Sequence, residues 1–261
     1  MRFSACIEML FTEVPILERI ELAARNGFQA VEFWNWDNKD LPALKQKAEA
    51  YGMELAVFQS NMGGTLTDAK DRDRFISGIR TSLAKAREFG VKRLFLLTDE
   101  LGEDRSVKPL PYVITPGEKY ASVLAGLKEL ALLAEQAGVT LVLEPLNSLV
   151  DHQGYYLDHS ALGFELVKAV GSRHLRLLFD IYHMQVMEGN ILATLERNLG
   201  LIGHIHVADV PGRHQPGTGE LNYRNILRML KDLGYEGYIG FEFEPTGPSQ
   251  EVLRQVFESL K

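Results

Sequence analysis

The feature that most constrains this chain is an alternation repeated eight times from end to end. A short apolar run rich in β-branched residues is followed by a longer run of helical period. The strand segments are Phe3–Glu8, Ala30–Trp34, Leu55–Gln59, Arg93–Leu97, Thr140–Glu144, Leu175–Asp180, Gly203–Ala208 and Tyr238–Phe243. The helical segments are Pro15–Asn26, Leu41–Tyr51, Asp68–Phe89, Pro116–Gln136, Ser160–Val170, Asn190–Asn198, Tyr223–Leu233 and Gln250–Leu260. Most helical runs are followed by glycine: Gly27, Gly52, Gly90, Gly138, Gly171, Gly200 and Gly234. Glycine accepts the left-handed conformation that closes a helix. Strict alternation means parallel strands, and eight of them in 261 residues predict a (β/α)8 TIM barrel, an α/β fold. An open doubly wound sheet would carry a glycine-rich phosphate loop after its first strand, and MLFTEVP has none. No linker interrupts the pattern, so residues 1–261 read as one domain. The longest irregular stretch, 99–115, is either an active-site flap or a structural excursion.

The formal net charge of −7 argues against nucleic acid or an anionic membrane surface as partner. The single cysteine, Cys6, excludes an internal disulfide. MRFSACIEMLFTE lacks the apolar core of a secretory leader, and no run reaches the roughly 18 apolar residues of a membrane span. A cytoplasmic protein is expected.

In this fold the site lies at the C-terminal ends of the strands. Alternate side chains of a strand face opposite ways. In LVLEP, Leu141 and Leu143 oppose Glu144; in LRLLFD, Leu175, Leu177 and Phe179 oppose Asp180. In HIHVA, Ile205 and Val207 oppose His204 and His206; in YIGFEFE, Ile239, Phe241 and Phe243 oppose Glu242. The large apolar side must face the helices, so the acids and imidazoles point inward. Four neighbouring strands thus aim Glu144, Asp180, His206 and Glu242 at one place. Three carboxylates in a low-dielectric mouth require a compensating cation. Three oxygens and one nitrogen suit one divalent ion, Mn²⁺, Mg²⁺ or Co²⁺, better than a structural zinc.

Other polar residues stay open at this point. His204 shares the parity of His206 but lies deeper, as a core or supporting histidine. Glu32, at the end of the second strand, has no assigned role. Glu244 falls at the rim. Arg213, in the loop after strand seven, either clamps a substrate carboxylate or pairs with Glu220. His183 either polarises a substrate carbonyl or is a satisfied loop histidine.

These residues carry a resemblance. MLFTEVP, EPLNS, DIYHMQVMEGN, GHIHVADVPGRHQPGTGELNY and GYEGYIGFEFEP resemble the hydroxypyruvate isomerase family, within the xylose isomerase-like barrel superfamily, over essentially the whole chain. The resemblance implies that Glu144 and Glu242 are paired acid/base carboxylates. It implies a divalent metal at Glu144, Asp180, His206 and Glu242, and a small hydroxy-carbonyl substrate held by His183 and Arg213. It also implies a homodimer or homotetramer. Two features pull apart on substrate. Hydroxypyruvate isomerase-like proteins commonly carry Gln at the position of His206, where ketose 3-epimerases and inosose-processing enzymes carry His. Those epimerases, in turn, place a substrate-binding Glu where this chain has Leu149 and Val150. The expected reaction is isomerisation of hydroxypyruvate to 2-hydroxy-3-oxopropanoate. Epimerisation or isomerisation of uncharged polyols is the alternative enzyme reading, and a ligand-binding barrel the non-enzyme one.

Overall fold

A computed structural model describes residues 1–60 and 63–260. Eight parallel strands close into a barrel in sequence order: β1 (Arg2–Cys6), β2 (Ala30–Phe33), β3 (Glu54–Gln59), β4 (Arg93–Leu96), β5 (Thr140–Leu143), β6 (Leu175–Asp180), β7 (Ile202–Val207) and β8 (Tyr238–Phe241), with β8 pairing back to β1. Several strands end one or two residues earlier than the sequence pattern predicts. Glu144 and Glu242 therefore stand just past β5 and β8, still tied to the sheet. The Glu144 amide donates to Leu96 O at 3.0 Å, and the Glu242 amide to Val207 O at 3.3 Å.

Around the barrel run α1 (Ile16–Arg25), α2 (Leu41–Ala50), α3 (Arg72–Phe89), α4 (Pro116–Ala137), α5 (Ser160–Val170), α6 (Ile181–Met187), α7 (Ile191–Asn198), α8 (Tyr223–Asp232) and α9 (Ser249–Ser259). Their apolar stripes make the main core against the outer faces of the strands. Helix α8 buries Tyr223, Ile226, Leu227 and Leu230 at helical spacing. Phe179 of β6 stacks on Phe164 of α5, and Phe241 of β8 on Phe257 of α9. Residues with outward parity thus pack helices, which leaves the opposite parity for the barrel interior.

Six of the seven glycines after helices hold φ between +66° and +85°. Gly200 is the exception, lying inside a 3₁₀ turn over Leu199–Leu201. The sequence pattern also misses α6. It is only seven residues long and starts directly from β6, too short for its period to register. Helix α3 begins at Arg72 rather than Asp68, because the Asp68 side chain serves the preceding turn, accepting from the Lys70 amide. Among the described residues no helix is long and apolar enough to cross a membrane.

Candidate active site

Strand register brings the inward residues together. Asp180 is the Cα partner of His206, and His206 of Gly240. Neighbouring strands lie only about 4.8 Å apart, so such partners share one layer of the barrel. The ligand atoms of Glu144, Asp180, His206 and Glu242 all fall within 4.8 Å of one another, and all four residues are buried. His206 Nδ1 is 3.4 Å from Glu144 Oε1, 3.4 Å from Glu242 Oε2 and 4.0 Å from Asp180 Oδ2.

Each member is held from outside the cluster. Asp180 caps α6: its Oδ1 accepts the Tyr182 amide at 2.8 Å, leaving Oδ2 buried with no hydrogen-bond partner. Glu242 accepts Trp34 Nε1 at 2.7 Å and Arg213 Nη2 at 2.5 Å. On its far side His206 turns Nε2 toward Glu32 Oε1 at 3.1 Å, out of line for a good hydrogen bond. Glu32 is itself anchored by His204 Nε2 at 3.0 Å and by the Ser4 hydroxyl. Gly240 makes room for it, since a Cβ there would collide with the Glu32 carboxylate. The residue that strand parity left without a role sits directly beneath the cluster, and His204 lies below that. Together Glu32, His204 and His206 form a second group with metal-ligand spacing.

The electrostatics are those of crowded buried acids. Burial, reinforced by Glu242 and Asp180, pushes Glu144 up to about 7. Burial likewise lifts Asp180 to about 6. Burial would also raise Glu242, but His206 and Arg213 outweigh it and hold this carboxyl well below the usual range. Glu32 is held at about 2, because His204 and His206 overcome its burial. Against the cost of its burial, Glu242 and Glu32 keep His206 protonated well above the ordinary range. The site thus recruits its own cation, the imidazolium, to balance three acids. The orphaned Asp180 Oδ2 and His206 Nδ1, facing one another among carboxylates, fit a bound divalent ion that would replace that proton.

Two members of the cluster, Glu144 and Glu242, line a cavity of about 640 Å³, within the usual range for small-molecule sites. Its walls include Trp34, His152, His183 and Arg213. Arg213 does not pair with Glu220, whose carboxylate takes Gln185 instead. It reaches Glu242 from a loop organised by Asp209, which accepts the amides of Val210, Gly217 and Leu221. Arg213 holds φ at +55°, a conformation costly for a side-chain-bearing residue. His183 is not a loop residue: it lies in the first turn of α6, Nε2 3.5 Å from Asp180 Oδ2. Glu244 is exposed at the rim. The 99–115 stretch contributes to the cavity wall. Residues 99–102 and 105 line the cavity, while Glu100 is fastened by Lys108, Arg74 and the Gly64 amide.

Sequence reasoning missed Trp34, His152 and Asn147. Trp34 has the parity of Glu32, two residues on, which is the signal that would have found it. His152 and Asn147 lie in the loop after β5, where no periodicity reports direction.

A closed eight-stranded barrel with a buried carboxylate–imidazole cluster at the C-terminal ends of its strands defines the class: a (β/α)8 barrel whose cluster could hold a metal ion beside a cavity of small-molecule size. Residues 20–261 match the sequence model of the xylose isomerase-like TIM barrel family, and the chain belongs to that family. It is 33% identical, across 94% of its length and 93% of the relative's, to the 2-oxo-tetronate isomerase of Cupriavidus necator. It is 30% identical to the hydroxypyruvate isomerase of Escherichia coli, across 97% of each chain. A solved structure described as an AP endonuclease, family 2, from Brucella melitensis superposes with a TM-score of 0.89 at 26% identity, covering 98% of both chains.

Proposed function

We propose that this protein is an isomerase of small hydroxy keto acids, interconverting hydroxypyruvate and 2-hydroxy-3-oxopropanoate or a close homologue one carbon longer. The observation that carries this reading is the convergence of Glu144, Asp180, His206 and Glu242 on one point, with Glu144 and Glu242 lining one small cavity. These four residues would hold a divalent ion, Mn²⁺, Mg²⁺ or Co²⁺. Such an ion supplies Lewis acidity and neutralises charge that builds on adjacent substrate oxygens.

The chain's own residues supply the proton chemistry. One of Glu144 and Glu242 takes the proton from the hydroxyl-bearing C3. The electron pair becomes the C2–C3 double bond, and charge moves to the C2 oxygen. His183 Nε2, buried with no partner at the cavity wall, lies where it can meet such an oxygen. The second carboxylate delivers a proton to C2, and the C3 hydroxyl proton passes to the C2 oxygen, which leaves the aldehyde at C3 and a hydroxyl at C2. In the reverse direction the two glutamates exchange duties. Positioned acid/base groups of this kind contribute about 10²–10⁴-fold in rate. Arg213 keeps Nε free of any hydrogen bond while Nη2 holds Glu242, so one guanidinium can fix the catalytic carboxylate and meet a substrate carboxylate.

The names of the two relatives favour keto acids over polyols. So does the loop after β5. Leu149 and Val150 are 67% and 61% exposed, and the adjacent Asp151 is engaged by Asn147 and Tyr182. That loop therefore offers no free carboxylate where the polyol epimerases have one. A DNA-repair reading of the fold fits poorly with a net charge of −7. The test is an activity panel in Mn²⁺, Mg²⁺ and Co²⁺ against hydroxypyruvate, 2-oxo-tetronate, ketohexoses and inosose. Keto-acid turnover abolished by EDTA is expected, and turnover confined to neutral sugars would overturn the reading.

A further inference from the structure

We propose that Asn147 locks His183 into one tautomer, protonated on Nε2, so that this imidazole meets a substrate oxygen as a neutral hydrogen-bond donor. The inference rests on the reading above only for its catalytic consequence; the tautomer follows from donor and acceptor counting alone.

The amide orientation of Asn147 is fixed first. Its Oδ1 accepts the backbone amides of Val150 at 3.1 Å and Asp151 at 2.8 Å. Its Nδ2 donates to Asp151 Oδ2 at 2.7 Å, a carboxylate that also accepts the Tyr182 hydroxyl at 2.8 Å. Flipping the amide would set oxygen against carboxylate and NH₂ against two backbone N–H groups, so it is excluded. The second Nδ2 hydrogen then points at His183 Nδ1, 2.7 Å away. The backbone amide of Asn147 aims at the same nitrogen from 3.3 Å. Two donors converge on one ring nitrogen, and a nitrogen facing two N–H groups must be the unprotonated acceptor. The ring proton therefore sits on Nε2. That nitrogen is buried, lines the cavity, faces Asp180 Oδ2 at 3.5 Å and has no hydrogen-bond partner. His183 and Asn147 are both fully buried, with the His152 and Tyr182 rings against the imidazole, so neither can turn away.

Asn147 is thus a positioning residue: it touches no substrate and acts through His183. A ring of the other tautomer would present a lone pair to the substrate oxygen and repel it.

The experiment reads the tautomer directly. Protein labelled with ¹⁵N-histidine, metal-free and loaded with diamagnetic Mg²⁺, is examined by long-range ¹H–¹⁵N correlation, with His183→Gln identifying the ring. Nδ1 at an unprotonated shift and Nε2 at a protonated one are expected; the reverse assignment would overturn the proposal. The exchange Asn147→Asp with Asp151→Asn conserves charge and atom count but turns the group facing Nδ1 into an acceptor. It should invert the tautomer and lower kcat by about 10²-fold or more, as for loss of one oxyanion donor, with a smaller change in KM. An inverted tautomer with unchanged kcat would refute the catalytic consequence. Should the double variant fail to fold, Asn147→Leu decides: a mixture of tautomers supports the role of Asn147, and an unaltered single tautomer removes it. Absence of keto-acid turnover in the wild type would sink the proposed function while leaving the spectroscopic result standing.

Discussion

Asp180 brackets His183: its Oδ1 accepts the His183 backbone amide at 3.4 Å, and its Oδ2 stands 3.5 Å from the same residue's Nε2. One oxygen serves the fold as the cap of α6, and the other serves the site. The two duties are separable. Asp180→Asn keeps a good capping side chain but loses the charge, so at pH 5, below the value of about 6 to which burial lifts Asp180, it should retain the thermal stability of the metal-free protein, and at neutral pH it should lose at least tenfold in Mn²⁺ affinity. Asp180→Ala loses both, and the missing cap costs about 1 kcal/mol, or roughly 2–4 °C in Tm for a chain of this size. Calorimetry of the two variants would settle it; equal melting temperatures would refute the capping role.

The two glutamates should behave alike in catalysis and oppositely in stability. Glu144→Gln and Glu242→Gln should each cut kcat by about 10²-fold or more, the worth of a positioned acid or base. Glu144 is ionised at a cost in the metal-free site, because burial and its acidic neighbours oppose the charge. Replacing it by Gln should raise the metal-free Tm at pH 8. Glu242 is the partner of buried Arg213, and breaking such a pair costs about 3–5 kcal/mol, so Glu242→Gln should lower it. Shifts of the same sign in both variants would contradict this electrostatic account.

That asymmetry shows where the sequence stops being informative. Parity along a strand is local, so the inward aim of Glu144, Asp180, His206 and Glu242 was readable from Leu141, Phe179, Ile205 and Phe241 opposite them. The partners that differentiate these acids come from other strands and from loops. Trp34 and Arg213 reach Glu242 over 208 and 29 residues of chain, and Glu32 meets His204 across 172. No spacing rule reports such contacts. The cap of α6 was hidden for another reason: Asp180 ends a strand and starts a helix with no residue between, so neither period has room to show.

Glu32 should set metal affinity without touching the metal. By facing Nε2 it leaves His206 Nδ1 as the ligand nitrogen, the arrangement in which an outer carboxylate typically contributes about 10–100-fold in metal affinity. Glu32→Gln should weaken Mn²⁺ binding by that order in calorimetric titration. Gly240→Ala should do so too, by driving a methyl into the Glu32 carboxylate. Unchanged affinity in Glu32→Gln would show that His206 is oriented by other contacts.

Arg213 should discriminate by charge. If its guanidinium meets a substrate carboxylate, Arg213→Ala raises KM more for hydroxypyruvate than for a neutral ketose. Because the same group pins Glu242, kcat should fall for both substrates. A KM effect of equal size on charged and uncharged substrates would confine Arg213 to holding Glu242.

Metal binding should be a proton-release reaction with a defined sign. Glu144 is raised from its ordinary 4.5 to about 7, and Asp180 from 3.8 to about 6. A carboxyl raised on folding binds more protons in the native state than in the unfolded chain between those two values. The stability of the metal-free protein attributable to these groups is therefore lost as pH rises from about 4 to 7. His206, raised above 6.5, extends the loss in the same direction. Glu32 and Glu242, lowered on folding, have an effect of opposite sign, but it is complete by about pH 5 and leaves only the part of the window above pH 5 clear. A divalent ion displaces these protons, so its stabilising effect must grow across the same interval. The rise in Tm on adding saturating Mn²⁺ should be small at pH 5.5 and largest near pH 8, with protons released on titration at pH 6.5. A metal-induced shift independent of pH would mean that the ion binds away from Glu144 and Asp180.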